Sequence, residues 1–348
     1  MTLLETMLNP VQARSRRFPL ESGHVLLAIA LLLYPLIASP FFTFQIGAYA
    51  LILGTIALSL MVLGGYGGMV SLSQMTIAGI AAYTMAIFAT NESGVMGFGW
   101  PWWVAAPLAI LIASTASALI GLLAVRTAGI YMIMITLAIS TAFFYFVRQN
   151  YALFNGFNGF HGVVPPTVFG VYWRDPVAFY YLALLVAAVF YGAVIYMARS
   201  TFGLTLQAIR DNPRRMRALG FNVPAHRVFA FFLAGVIAGT AGVLLAWFNG
   251  QITPGTVGVS AAIDVLVVAV VGGLKRPIGP YLGALLFALL QNFAIDLIDP
   301  ERFNTVIGLV FLLIVFFSPD GLLGLWERFK KMMMQNSLRP ASRRRKST

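Results

Sequence analysis

Ten times along the chain a run of about 20 residues passes with almost no charge, and a run of that length is what an α-helix needs to cross roughly 30 Å of hydrocarbon. The runs lie at 24–40, 44–64, 68–89, 102–124, 128–147, 177–198, 226–248, 259–274, 279–297 and 303–319. Hydrocarbon offers no partner to a backbone N–H or C=O, so a chain made of such runs is confined to helices that satisfy their own backbones. The composition agrees: 59% of residues are hydrophobic, 10% are charged, and the mean hydropathy is +0.85. A soluble fold of this size would lack the polar surface to cover itself, and a disordered chain would not be this apolar. Cysteine is absent, which excludes disulfides, thiolate metal sites and cysteine nucleophiles. Arg14, Arg16 and Arg17 precede the first run as in a signal peptide, but no clean small-residue cleavage site follows. The run is therefore read as a retained helix.

The charges orient the spans. The formal net charge is +12. With ten spans and an inner N-terminus, 20 of the 23 Lys and Arg fall on the inner side, and only Arg148, Arg174 and Arg302 fall outside. That is the positive-inside asymmetry of a multi-pass membrane protein with both termini cytoplasmic. It also makes the basic excess topological, so no nucleic-acid partner is expected, and the tail Arg343-Arg344-Arg345-Lys346 is assigned to anionic lipid headgroups. The organisation follows: a cytoplasmic segment 1–23, a transmembrane body 24–319 and a basic cytoplasmic tail 320–348. An outer stretch at 149–176 is rich in Asn, Gly and aromatics, and an inner stretch at 199–225 is the one long polar segment within the body. The fold class is all-α integral membrane. Five spans per half is the odd number that an inverted repeat requires, and Gly64-Gly65 in one half is faintly echoed by Gly272-Gly273 in the other.

Catalytic and nucleotide motifs do not appear. G-x-x-x-x-G-K-[ST], H-E-x-x-H and G-x-S-x-G are all missing, and His24, His161 and His226 stand apart from one another and from acids. The chain reads as a translocation pathway rather than an enzyme, with no cofactor or metal of its own.

Residues 199–225 predict a short basic helix–turn–helix. Leu204, Ala208, Met216 and Leu219 can share faces, Pro213 suits the first turn of a second helix, and Gly220 suits the left-handed residue that ends one. An amphipathic segment of this kind either lies in the lipid interface or docks in a partner's groove. The pattern Ala208, Ile209, Arg210, Asp211, Asn212, Arg214, Ala218, Leu219, Gly220, Phe221 resembles the cytoplasmic coupling segment of permeases in branched-chain amino acid ABC importers, the LivM-like family. Three further blocks resemble that family in the same order: residues 64–83, 126–138 and 261–283, followed by Phe317-Ser318-Pro319-Asp320-Gly321-Leu322. The resemblance covers residues 40–325.

The resemblance implies a type II importer-like permease of the bacterial inner membrane. Its partners would be a second permease subunit, two ATP-binding subunits that use the ATP, a periplasmic substrate-binding protein and membrane lipid. Its substrate would be an amino acid, foremost a branched-chain one; related systems take urea, short amides or aromatic acids. Docking to the ATPase would involve Leu206, Ile209, Arg210, Asp211, Asn212, Arg214, Arg217, Leu219 and Gly220. The chain departs from the family pattern at Ser73-Gln74, where Gly-His is usual, in the outer segment Phe154–Gly159, and at Arg215 and Arg217, where small or acidic residues are usual. The last departure implies a more acidic ATPase surface.

Polar groups within spans are costly and mark candidate pathways. Here they are Ser71, Ser73, Gln74 and Thr76 at the head of the third span, Thr136 and Ser140 on one face of the fifth, Asp264, and Gln291 beside Asn292. Each has a plainer alternative: interhelical packing for the hydroxyls and amides, and helix capping after Ser260 for Asp264. Two other classes remain open at this point. One is an ion-coupled secondary transporter with Asp264 as the coupling carboxylate. The other is an integral-membrane enzyme, against which the lack of clustered catalytic residues argues.

Overall fold

Apolar runs become helices wherever the chain can follow an unbroken i→i−4 ladder, and the described structure is a bundle of them. The computed structural model describes residues 22–91, 97–127, 129–168 and 170–297, with 305, 308, 309, 312, 321, 322 and 324 beyond. Most of the expected tenth span 303–319, and nearly all of the segments 1–23 and 320–348, lie outside the described residues.

In chain order the helices are α1 (Ser22–Ile37), α2 (Phe42–Tyr66), α3 (Gln74–Phe88), α4 (Trp102–Ala124), α5 (Ile130–Gln149) and a single turn α6 (Tyr151–Phe154). After them come α7 (Pro176–Arg199), α8 (Thr201–Asp211), α9 (Pro213–Ala218), α10 (Val223–Asn249), α11 (Val259–Gly272) and α12 (Gly279–Leu297). Helices α2, α4, α5, α7 and α10 are each long and apolar enough to cross a membrane. Helices α3 and α11 are apolar but have only 15 and 14 residues, or about 22 and 21 Å of rise.

One expectation needs correction. The third span does not begin at residue 68: α3 starts at Gln74, and residues 68–73 are non-helical. The cause is local, because Gly68 adopts φ +65, a conformation that ends a helix and that a side chain resists. The fold is mostly helical, as expected, with minor strand among the described residues. Four two-residue strands form antiparallel ladders: β1 (Phe160–His161) with β4 (Gln251–Ile252), and β2 (Thr167–Val168) with β3 (Val171–Tyr172).

Helix α2 is buried on almost every side, every residue from Ala50 to Leu63 included, as expected of a helix apolar all round. Helix α10 packs most extensively, against α4 and α3, and it does so with small residues. A Cβ added at Gly242 would fall on the backbone of Ala78 in α3, and one at Gly235 would meet Ser114 and Ser117 of α4. The Ser117 hydroxyl donates to Phe231 O at 2.6 Å across that contact. Tyr281 of α12 joins three helices: its hydroxyl lies 3.3 Å from Thr55 Oγ1 on α2 and 3.2 Å from Ala187 O on α7. By contrast, α4, α5 and α7 leave apolar faces exposed, among them Leu119, Leu122, Tyr131, Met134, Leu185 and Val189, as lipid-facing helices do.

The loops sort into two ends. One gathers the Gly64–Gly68 turn, Arg210, Leu274 and Gly321, where Gly65 abuts Leu274 and Gly321 abuts Gly273. The other gathers residues 154–163 and 250–252 through the β1–β4 ladder and a bond from Val163 N to Gly250 O at 3.0 Å. These are the groupings that the charge-based map places on the inner and outer sides.

The close approach at Gly242 has a measurable consequence. Gly242→Ala should destabilise the purified protein by roughly 1–3 kcal/mol through overpacking, seen as a lower thermal midpoint in detergent. Gly192→Ala on α7, where nothing lies within 4 Å, should leave the midpoint unchanged or raise it slightly, since alanine favours the helix by about 1 kcal/mol.

Candidate functional site

The non-helical strip at 68–73 crosses buried surroundings, so its backbone must find partners outside any helix. Helix α5 provides them. Leu72 N donates to Thr136 Oγ1 at 3.1 Å, and Ser140 Oγ donates to Leu72 O at 3.1 Å. Thr136 Oγ1 in turn donates back to its own helix, with Met132 O at 3.0 Å and Ile133 O at 3.1 Å. The two residues share one face, as their spacing predicts, and that face acts as a clamp on one peptide unit. Beside it Ser71 Oγ and Ser73 Oγ lie 2.8 Å apart, and Ser73 N donates to Ser71 Oγ at 3.3 Å. All four hydroxyls are buried. Ser71, Ser73, Thr136 and Ser140 are thus brought together around Leu72, the serines paired with each other and the α5 hydroxyls bonded to the Leu72 backbone.

Gln74 and Thr76 are different. Gln74 Oε1 lies 2.8 Å from Ser59 Oγ on α2, whose single proton also has Ile56 O at 2.6 Å. Gln74 Nε2 and Thr76 Oγ1 are buried and have no hydrogen-bond partner among the described residues; Tyr83 OH and Trp247 Nε1 share that condition. Three of these four atoms belong to α3. An unpaired polar group in such surroundings costs about 1–3 kcal/mol. Those of α3 do not converge, since residues two apart on a helix face opposite sides: Gln74 lies against Ser59, and Tyr83 packs on Phe154 and Phe160. Ser59, Tyr83 and Trp247 were missed from the sequence. Ser59 could have been found as a lone hydroxyl deep in an apolar run, whereas Tyr83 and Trp247 look like ordinary interfacial aromatics.

Asp264 lies in the second turn of α11. The N-cap is Gly258 and the first turn holds no acid, so Asp264 does not cap the helix. It is half-buried, and α11 packs against α2, α3, α5 and α12. Gln291 is half-buried on α12 beside Asn292, which bonds its own helix at Ala288 O. No contact joins either residue to the α3 cluster among the described hydrogen bonds.

At the end of the bundle that holds the Gly64–Gly68 turn, the polar segment folds by local rules. Ser200 accepts from Gly203 N to cap α8, Asn212 accepts from Arg215 N to cap α9 ahead of Pro213, and Asn222 accepts from Ala225 N to cap α10. Gly220, at φ +88, closes α9: Phe221 N bonds Met216 O and Gly220 N bonds Arg217 O, the paired bonds of a Schellman ending. The expected docking ridge needs correction. Leu206 and Ile209 are fully buried within the chain, Ile209 among Met216 and Val223. They anchor the segment to its own protein because α8 turns that face toward the bundle. The apolar groups left outward are Leu204, Leu219 and Phe221, at 58, 66 and 40% exposure. Asp211, Arg214, Arg215 and Arg217 are exposed around them. Asn212 serves as a cap, and Arg210 reaches inward to Gly65 O.

Comparison with known proteins adds the family. The profile described as "Branched-chain amino acid transport system / permease component" matches residues 42–315. The high-affinity branched-chain amino acid transport system permease protein LivM of Escherichia coli is 26% identical over 304 residues, 81% of this chain and 70% of that protein. A probable branched-chain amino acid transport permease protein LivH of Methanocaldococcus jannaschii is 25% identical over 301 residues, 83% of this chain and 85% of that protein. A nucleoside ABC transporter permease protein, NupC of Lactococcus lactis, is 26% identical over 245 residues, 66% of this chain and 74% of that protein. No solved structure gives a significant match.

The clamp on Leu72 can be opened selectively. Thr136→Val removes the acceptor and strands a buried N–H, which should destabilise by about 1–3 kcal/mol. Thr141→Val, at a half-buried position whose hydroxyl bonds its own helix at Leu137 O, should change stability by less than about 1 kcal/mol. Thermal unfolding of the two variants in one detergent makes the comparison.

Proposed function

The chain belongs to the family of permease components of branched-chain amino acid transport systems, and on that premise we propose that it is one of two permease subunits of an inner-membrane importer, with both termini cytoplasmic. Two ATP-binding subunits would dock on α8 and α9, and a periplasmic binding protein would deliver substrate at the end built from residues 154–163 and 250–252. The family's ATP-driven class replaces the ion-coupled and enzymatic alternatives.

One observation carries the pathway. Helices α3 and α11 are short, each is the third span of its half, and each is led in by irregular backbone, at 67–73 and 250–258. These lead-ins sit at opposite ends of the bundle. Short interrupted segments in matching places of two inverted halves are the usual mark of a substrate site near the bilayer midplane. The pairing supports the inverted repeat of five and five spans, and it singles out Gln74, Thr76 and Asp264 as the groups nearest the route. An α-amino acid presents charged and hydrogen-bonding ends with an apolar side chain, and the unpaired amide of Gln74 at the head of α3 suits a hydrogen-bonding end. The nucleoside relative marks how far the substrate class extends, and Gln74, where the family pattern has His, is the position from which this chain's preference would differ.

Two outcomes follow. Gln74→Met keeps the volume and removes the amide; uptake of labelled leucine into proteoliposomes should fall roughly tenfold or more, with assembly retained. Unchanged uptake across amino acids would exclude Gln74 from the route. Leu219→Ala with Phe221→Ala should remove anchor contacts of about 1–4 kcal/mol each, and Arg217→Glu should weaken assembly further at low salt than at high. Co-purification of the ATPase subunit reads both. Retention of the ATPase by the triple variant would leave α9 as a lipid-surface segment.

A further inference from the structure

The C-terminus of α2 ends short of its own supply of hydrogen bonds. The last carbonyls of any helix lack intrahelical partners and carry the negative end of its dipole. Here Val62 O takes Gly67 N at 3.3 Å and Leu63 O takes Met69 N at 2.9 Å, both from the turn that follows. Gly65 O is served from elsewhere: Arg210 Nη1 donates to it at 2.5 Å, from 145 residues further along the chain. A guanidinium at this place satisfies a carbonyl and opposes the dipole at once.

The turn is shaped around that side chain. At Gly68, which sits at φ +65, a Cβ would meet Arg210 Cγ at 2.6 Å. Asp211 steadies the head of the fork, taking Arg210 Nε at 3.0 Å and Nη2 at 2.9 Å on one oxygen. Leu206 and Ile209 fasten the same helix to the protein's interior, and Gln207 Nε2 bonds Ala198 O at 3.0 Å at the end of α7. So α8 cannot shift without carrying Arg210 with it.

What lies beyond Gly65 matters as much. Gly65 also touches the backbone of Leu274 in the α11–α12 turn, and Gly321 packs on Gly273 of that turn. The turns of the two halves therefore meet at the tip of α2. From there α2 runs buried to Ser59, which contacts Gln74 at the head of α3. We propose that Arg210 is a positioning residue that caps α2 from the α8–α9 segment and so passes displacement of that segment to the break ahead of α3. The proposal rests on the reading of α8 and α9 as the ATPase docking site. On this proposal the cap alternates between bonded, as seen here, and released, the two states that a coupling contact requires. A plain surface ion pair of Arg210 with Asp211 would contribute about 0–1 kcal/mol and would leave transport untouched when removed.

The test uses the complete transporter, with partner permease, ATPase subunits and binding protein, in proteoliposomes. Arg210→Gln keeps the stem against Gly68 and loses the charge and the fork. The ATPase subunit should still co-purify, and substrate taken up per ATP hydrolysed should fall at least about fivefold, the low end of a typical coupling energy. Arg210→Lys, which returns a single charged donor, should recover part of that ratio. A ratio within twofold of the unaltered transporter overturns the proposal. Loss of co-purification also overturns it, because Arg210 would then contact the ATPase, with the docking site itself upheld. Failure of the docking site shows separately, as retention of the ATPase by the Leu219, Phe221 and Arg217 triple variant. Should Arg210→Gln not be recovered from membranes, Arg210→Lys decides alone: a fall of about twofold or more supports the cap, and an unchanged ratio overturns it.

Discussion

Helix α10 approaches α3 and α4 closely enough for backbone to lie on backbone, and the rest of the bundle is arranged around that approach. Between helices in lipid there is no hydrophobic force to speak of, because acyl chains are as apolar as leucine. Contact has to come from close packing and from hydrogen bonds that the membrane cannot supply. Gly242 against Ala78, Gly235 against Ser114 and the Ser117 bond to Phe231 O provide both. With α3 held there, α2 is enclosed between α10, α11 and α12, and the break at 68–73 is carried into the protein's interior where its bonds can be met.

That placement separates two kinds of polar residue that look alike in a list. Ser71 and Ser73 close on each other, and Thr136 and Ser140 close on the backbone of Leu72 between them. Their hydrogen-bonding capacity is largely consumed by the fold. Gln74, Thr76 and Tyr83 keep buried capacity in reserve along one helix. A guest that binds by hydrogen bonds gains most where the protein's own groups are unsatisfied, because bonding then removes a desolvation penalty already present. Ser73 and Gln74 are neighbours in the chain, and the change from one kind to the other coincides with the start of α3 at Gln74.

How much of this was legible follows the range of the interactions. Spans and their charge asymmetry could be read because transfer from water to lipid is a sum over residues. The Gly220 ending, the Pro213 start and the shared face of Thr136 and Ser140 could be read because each depends on a few neighbouring residues. Hydropathy predicts helix at 68–73 because it reports apolarity and is blind to backbone direction; the signal against it is the run of Gly64, Gly65, Gly67 and Gly68, of which only Gly68 has positive φ. The ridge on α8 was assigned to the wrong face for a related reason. Periodicity shows that a helix is two-faced, but α8 carries apolar residues at Leu204 as well as at Leu206 and Ile209, and only contact with the bundle decides which are covered. Arg210 was recognised as part of a motif, yet its partner is a backbone carbonyl, which no residue type announces.

The sequence separation of those partners bears on how the protein is made. Chains emerge at about 5–20 residues per second. Leu72 must wait for Thr136, 64 residues later, and hence for roughly 3–13 s after its own synthesis. Gly65 waits for Arg210, 145 residues later, or about 7–29 s. During that interval a strip of unpaired peptide groups has to be held at the edge of the bilayer, in contact with water or with the insertion machinery, until α5 and then α8 arrive. Biogenesis of this bundle is therefore paced from its first glycine-rich turn, whose stable burial is among the last events although its residues are among the first to be made.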